Sequence, residues 1–406
     1  MQVNDIQIKH APVFFKNCID CKPAPGSADE LSAFAKIQQG FCNQFQLFFP
    51  DNLAPKTIVV IPSLSLDQEM LTKIDAAIYY EERLLCLLML LRMPRTTVIY
   101  VSSMPVDPVI IDYYLHLLPG ITGYHARERL TLMSCYDASA KPLTEKILQR
   151  PRLVDRIKQA IPTGNVAHIA CFNATALERT LAVHLDIPIY GCDPSLVYLG
   201  TKSGSRSTFI KAGVATPPGL ENLTCYDDIV HAVAGIKEIY PEIKKAVIKL
   251  NDGFSGDGNA ILKYPENMLG SAMYNWVHNN LYEAIVPVAK DLSVEFFLKK
   301  FLLMEGTVEA FVDGEEKTSP SVQCRINPLG EIDIISTHDQ LLSGDNDQVF
   351  AGAHFPANKN YSVQIAAIAK TIALALKNEG VLGRFGIDFI SIKENNTWKH
   401  YAIEIN

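Results

Sequence analysis

Three oxygen-bearing side chains stand at the end of the chain: Asp388, Glu404 and Asn406. Residues 385–392 and 398–406 alternate as two strands, and Lys393-Glu394-Asn395-Asn396 between them is turn-forming. A turn centred near Asn396 sets Asp388 opposite Glu404, and alternation puts Asn406 on the same face. The reverse face then collects Ile387, Phe389, Ile403 and Ile405. Two facing carboxylates repel unless a cation intervenes. Oxygen-only donors suit a hard ion such as Mg²⁺, whose remaining positions go to water and phosphate. The same residues also fit an edge hairpin with solvated acids.

A second group lies upstream. Residues 246–250 read as a strand that carries Lys249 near its end, and Asn251-Asp-Gly-Phe-Ser-Gly-Asp-Gly258 follows directly. Gly253, Gly256 and Gly258, with Ser255 among them, let backbone N–H groups turn towards a phosphate, and Lys249 adds a point charge. The spacing is neither a Walker A loop nor a dinucleotide fingerprint. A plain hairpin turn also accounts for it. A third stretch, residues 308–316, is an apolar strand that stops at an acid-flanked Gly314. It could offer backbone groups to an adenine edge and an acid to ribose hydroxyls, or be a surface turn.

The elements that must position these groups alternate in the first half. Runs at 57–62, 96–102 and 165–171 read as strands, and 67–92, 106–118 and 173–185 as helices, the last with an Asn173 cap. That order implies βαβ units and a mostly parallel sheet. Residues 1–55 read as an irregular lead-in. Beyond 198 the pattern runs helix (201–212), helix (226–239), strand, Gly-rich loop, strand and helix (266–279). Residues 281–406 read as mostly β with one helix at 361–378.

Composition narrows the classes. The net charge is −7 over 406 residues, which disfavours a general nucleic-acid binder. The longest apolar run, 84–91, is too short to span a bilayer, and no secretory leader is legible, so a soluble cytoplasmic protein is expected. Nine scattered cysteines read as unpaired thiols, with Cys18 and Cys21 the only close pair.

In this order, Lys202, then Lys249 with its Gly-rich loop, then 309–316, then Asp388…Glu404-x-Asn406 resembles the ATP-grasp superfamily. The resemblance covers roughly 190–406. Leu199-Gly-Thr-Lys-Ser-Gly-Ser-Arg206, Ser319-Pro-Ser-Val-Gln-Cys-Arg325, Ser336-Thr-His-Asp-Gln340 and Gly383-Arg-Phe-Gly-Ile-Asp388 resemble the pheganomycin-type peptide ligases within it. The resemblance implies an α/β plus α+β chain. A Rossmann-like pre-ATP-grasp domain (56–197) precedes a two-subdomain ATP-grasp fold (198–406). Relatives continue past Glu-x-Asn with substrate-binding residues, whereas this sequence stops at Asn406, so a shortened C-terminal end is expected.

The resemblance also implies roles. Lys202 and Lys249 contact the phosphates of ATP, and the loop with Gly253, Ser255, Gly256 and Gly258 closes over them. Backbone around Glu309 and Phe311 holds adenine, Glu316 takes the ribose, and Asp388, Glu404 and Asn406 hold Mg²⁺. Arg325 and Arg384 stabilise the transferring phosphoryl group or a substrate carboxylate, while His338 and Gln340 face the substrate. The expected reaction joins a small-molecule or peptide carboxylate to an amine acceptor through an acyl phosphate. A small-molecule kinase and a non-catalytic nucleotide-binding module are the alternatives, and homo-oligomerisation stays open.

Overall fold

The computed structural model describes residues 22–65, 76–252, 258–289, 292–314, 316–343 and 349–406. Gly253, Ser255 and Gly256 of the expected phosphate loop, the Cys18–Cys21 pair and the start of the helix expected at 67–92 lie outside them.

Four apolar runs form a parallel sheet: β1 (Lys56–Ile61), β2 (Thr96–Ser102), β3 (Leu130–Ser134) and β4 (Val166–Cys171), ordered β3-β2-β1-β4. Both faces are covered, as an all-parallel sheet requires. Alternation splits β1 between two cores: Ile58 and Val60 pack with Leu85, Leu88 and Ile111, and Val59 and Ile61 pack with Phe34, Ile147 and Leu181. The first strands fall where the alternating pattern places them. The lead-in differs, because residues 28–48 form a helix, Ala28–Phe48. Ser27 caps it by accepting from Glu30 N, and Phe34 and Phe41, seven residues apart on one face, are buried. The helix expected from 173 begins at Ala176, where Thr175 and Glu178 make a capping box. Asn173 instead exchanges two 3.0 Å bonds with the Ser65 backbone. Ala77–Arg92 is a 3₁₀ helix rather than part of a long α-helix.

The second half builds two antiparallel sheets. One holds β5 (Gly219–Leu223), β6 (Lys245–Leu250), β7 (Asn259–Lys263), β8 (Ile285–Pro287) and β9 (Gly306–Ala310), ordered β5-β9-β6-β7-β8. The other holds β10 (Glu316–Ile326), β11 (Ile332–Ser343), β12 (Val349–His354), β13 (Gly383–Glu394) and β14 (Thr397–Ile405), ordered β12-β11-β10-β13-β14. Helix Ser362–Asn378 backs this last sheet, burying Ile365, Ile372 and Leu376 against Ile387 and Phe389. A further helix, Val294–Met304, occupies a stretch whose apolar run reads as β in the sequence; Phe297 and Phe301, four residues apart, are its buried face.

The terminal hairpin turns through Asn395 and Asn396, both at positive φ (48° and 63°), a two-residue turn that pairs Glu394 with Thr397. Strict pairing about that turn would set Asp388 against Ile403. A register shift between Asp388 and Phe389 intervenes: Phe389 pairs with Ala402, but Asp388 pairs with Glu404. Ile403 is the extra residue of a bulge. It lines the cavity described below, and Ala402 joins the core with Ile387, Phe389 and Ile405, which corrects the apolar backing expected of Ile403.

Among the described residues no helix is long and apolar enough to cross a membrane. Seven described cysteines, including Cys42, Cys171 and Cys324, are free thiols.

Candidate nucleotide and metal site

A cavity of about 570 Å³ opens between the two antiparallel sheets, and Lys202, Lys249, Phe311, Asp388, Glu404 and Asn406 all reach its wall. They come from five separate elements.

Lys202 opens the helix Lys202–Lys211, whose N-cap Thr201 accepts from Gly204 N at 3.0 Å. The helix start is held close to its surroundings. Asn251 accepts from Lys202 N through its carbonyl (3.2 Å) and from Ser203 N through Oδ1 (3.0 Å). A Cβ on Gly204 would lie 1.8 Å from the Tyr198 carbonyl oxygen, so only glycine allows this approach. The other side of the helix is fixed to β14, where Ile405 N donates to Ser205 Oγ at 3.0 Å. Lys202 Nζ is thereby delivered to Glu404, with which it is ion-paired.

Lys249 and Glu309 are diagonal neighbours on β6 and β9, since Lys249 pairs with Thr307 and Val247 with Glu309. Their side chains meet at 2.6 Å. Glu309 is only 4% exposed and also has Arg206 Nη1 at 3.5 Å. Arg206 is the structural member, donating to the Pro217 and Gly219 carbonyls and to Glu221. Phe311, just beyond β9, carries the ammonium groups of Lys245 and Lys317 at 4.8 and 4.3 Å from its ring centre. Gly258 reaches the cavity wall, and Lys317 and Asn259 line it too. Glu316 does not: it is exposed at the start of β10 and paired with Lys393 at 2.9 Å.

Asp388 and Glu404 face each other in register. Gln340 Nε2 donates to Asp388 Oδ1 and Asn406 Nδ2 to Oδ2, both at 2.9 Å. Burial pushes the Asp388 carboxyl above its ordinary range; the Glu404 charge adds to this, while Ser321, Gln340 and Lys202 oppose it. The Lys202 ammonium beside this facing pair occupies the place a cation would take, and the donor set of two carboxylates and one amide fits a hard divalent ion.

Arg325 and Arg384 pair directly across β10 and β13, four residues beyond Ser321 and Asp388 and so on the same face. They stand roughly 13 Å from Asp388 along the strands and outside the cavity wall. A register shift in β11 between the partners of Gln323 and Cys324 brings Asp333 opposite Arg325, which donates to Asp333 Oδ2 through Nε (3.0 Å) and Nη2 (2.6 Å). Tyr190 lies beside both guanidinium groups, its buried hydroxyl without a hydrogen-bond partner among the described residues.

Several residues of the site carry no sequence signal of their own. Asn251, behind the cavity wall, works through its place next to the Lys202 helix, and Lys317, on the wall, through its contact with the Phe311 ring. Tyr80 and Arg83 come from the helix Ala77–Arg92 beside the parallel sheet, with the Arg83 guanidinium 4.3 Å from the Tyr80 ring centre.

The chain is similar to known proteins in sequence and in fold. Residues 281–406 match the family described as IQCH-like, ATP-grasp. The chain is 28% identical over 364 residues to the L-propargylglycine--L-glutamate ligase of Streptantibioticus cattleyicolor, covering 86% of this chain and 70% of that protein. It is 22% identical over 398 residues to IQ motif-containing protein H of Danio rerio, covering 87% of this chain but only 37% of that much longer protein. Among solved structures, the biotin carboxylase–βγ-ATP complex from Campylobacter jejuni superposes with a TM-score of 0.52 at 14% identity, covering 87% of this chain and 65% of that one. The ADP complex of N5-carboxyaminoimidazole ribonucleotide synthetase gives 0.50 at 13%, covering 87% and 70%.

Proposed function

We propose that this chain, which has the ATP-grasp fold, is an ATP-dependent ligase that joins a carboxylate to an amine through an acyl phosphate. The observation that carries the reading is the convergence of two lysines, an aromatic slot and an oxygen-donor set on one cavity. Lys202 and Lys249 are each held by a carboxylate, and a triphosphate would compete with Glu404 and Glu309 for those ammonium groups. Phe311 and the strand-end backbone beside it offer a slot for a purine. Asp388, Glu404 and Asn406 are the groups that would hold Mg²⁺, whose contribution is to neutralise charge on the transferring phosphoryl group.

The arginine row supplies the other end of the site. With Arg325 committed to Asp333, Arg384 is the freer guanidinium, since no ion pair holds it among the described residues. It would hold a substrate carboxylate remote from the phosphates by a bidentate contact. Positioning of this kind, with charge neutralisation by lysine and arginine, accounts for most of what such a reaction requires of side chains. By analogy with the Streptantibioticus ligase, whose name pairs two amino acids, amino acids are the class to try first on both the carboxylate and the amine side.

The test is product analysis. The protein is incubated with ATP, Mg²⁺, pooled amino acids and short peptides, with L-glutamate or hydroxylamine as nucleophile. ADP, phosphate and an amide or hydroxamate appearing together support the ligase. ADP with a stable phosphorylated product would replace it by a kinase, and ATP binding with no ADP by a non-catalytic module.

A further inference from the structure

The polar face of the third sheet is ordered in rows. In the first, Asp388, Ser321 and His338 align across β13, β10 and β11. His338 shares the face of Gln340, which bonds Asp388, and stands roughly 10 Å from Asp388 at two strand spacings. The second row is Gly386, Gln323 and Ser336, with Ser336 Oγ 2.8 Å from His338 Nε2. A Cβ at Gly386 would lie 2.8 Å from Gln323 Nε2, so its absence keeps this row open. The third row is Arg384, Arg325 and Asp333. The His338 ring packs on Phe355 with centroids 5.3 Å apart. The charges sharing its face include Asp388 and Glu404 in its own row, Lys317 on β10, and Arg325, Asp333 and Arg384 two rows along. Asp339 and His354 pair on the reverse face, where Asp339 accepts from Asn358 N and Tyr361 Oη.

An amine acceptor arrives as an ammonium and must lose a proton before it can attack. His338 stands in the row of Asp388, two strands away from it and two rows from the guanidinium groups. It is the one described imidazole on this face, and an imidazole nitrogen can accept a proton. We propose that His338 takes that proton and is a catalytic residue of the second half-reaction, an inference that rests on the ligase reading above. One N–H proton passes to the imidazole, and the freed lone pair forms the C–N bond while the carbonyl π pair moves to oxygen. Collapse breaks the C–O bond to phosphate, and the second N–H proton leaves with it as HPO₄²⁻. His338 then returns its proton to water. Ser336 is a positioning residue that orients the ring.

The test compares two nucleophiles in the full chain with ATP, Mg²⁺ and the carboxylate pool. Hydroxylamine is largely free base at neutral pH and attacks without a proton acceptor; L-glutamate does not. In His338→Gln the ratio of amide to hydroxamate falls roughly 100-fold. The remaining amide rate climbs with unit slope from pH 6 to 9, where the wild type levels off. Added imidazole restores part of the amide rate of His338→Ala. An unchanged ratio, whether both products fall together or neither does, overturns the role of His338 while leaving the ligase standing. A wild-type protein that makes neither product from any acid overturns the ligase reading and this inference with it.

Discussion

Lys202, at the start of a helix, is ion-paired with Glu404, the second-last side chain of the terminal strand to reach the cavity. The contact exists because Ser205 holds the Ile405 backbone to that helix and a bulge at Ile403 turns Glu404 towards Asp388. Under the proposed function, a cation that would bind phosphate thus rests on an anion that would bind metal. Nucleotide and metal together would separate the pair, giving each a stronger partner.

The carboxylates are tested first. Asp388→Asn or Glu404→Gln should lower ADP formation by roughly 10³-fold or more, with far-ultraviolet circular dichroism unchanged. Wild-type turnover in either variant would remove both groups from metal binding.

Lys249→Ala should weaken ATP binding by at least about tenfold in titration calorimetry, about 1.4 kcal/mol. It also leaves buried Glu309 with Arg206 as its remaining cation, at 3.5 Å, so a stability loss of about 1–3 kcal/mol should accompany it in urea unfolding. Glu309→Gln with Lys249→Ala should recover most of that stability without the affinity. Unchanged ATP affinity in Lys249→Ala would take the lysine out of the site.

Arg384→Ala should raise the KM for the carboxylate substrate roughly 10–100-fold and leave ATP affinity intact, because the arginine row lies outside the cavity wall. A matching loss of ATP binding would place Arg384 at the phosphates instead.

Gly204→Ala forces a methyl group to within 1.8 Å of the Tyr198 carbonyl oxygen. The helix start must shift, so both stability (about 1–3 kcal/mol) and ATP affinity should fall together. Thermal melts with and without ATP would show it. A neutral result would mean that the 198–204 turn is not what holds Lys202.

His168, on β4 of the parallel sheet, gives a pH dependence of stability. Burial among Phe41, Phe49 and Tyr190 lowers its pKa to about 4. The native state therefore keeps it neutral while the unfolded chain takes up a proton near the ordinary value of about 6.5. Stability is full above that value and falls as pH drops from about 6.5 to about 4, by roughly 3 kcal/mol in all. His168→Phe should flatten this segment of a melting-temperature profile between pH 7.5 and 5, and an undiminished slope would assign the acid sensitivity elsewhere.

The parallel strands were legible because β1, β2 and β4 are short apolar runs bounded by turn residues, and burial on both faces is what such runs are for. The helix at 28–48 was not, because its apolar face is spread over Phe34, Ile37 and Phe41 amid polar residues, and only docking beside Val59 and Leu181, with Phe41 against His168 and Tyr190, makes that face a core. The 294–304 helix was hidden for the opposite reason, since a dense apolar run does not reveal its own period.

The sequence by itself determined which chemistry the site could hold: two lysines, two carboxylates, one amide and two arginines, in a fixed order along the chain. The facing of Asp388 and Glu404 was legible from the turn, but the tertiary structure decided by what register it is reached and how the other groups meet. One inserted residue in a strand exchanges its faces, so the bulge at Ile403 places Glu404 opposite Asp388, and the register shift in β11 gives Arg325 its Asp333. Such shifts arise from pairing between distant strands and leave no local mark. Glu316 shows the converse: its type suits a ribose, but its exposed side chain pairs with Lys393 and does not reach the cavity wall, although its neighbour Lys317 does.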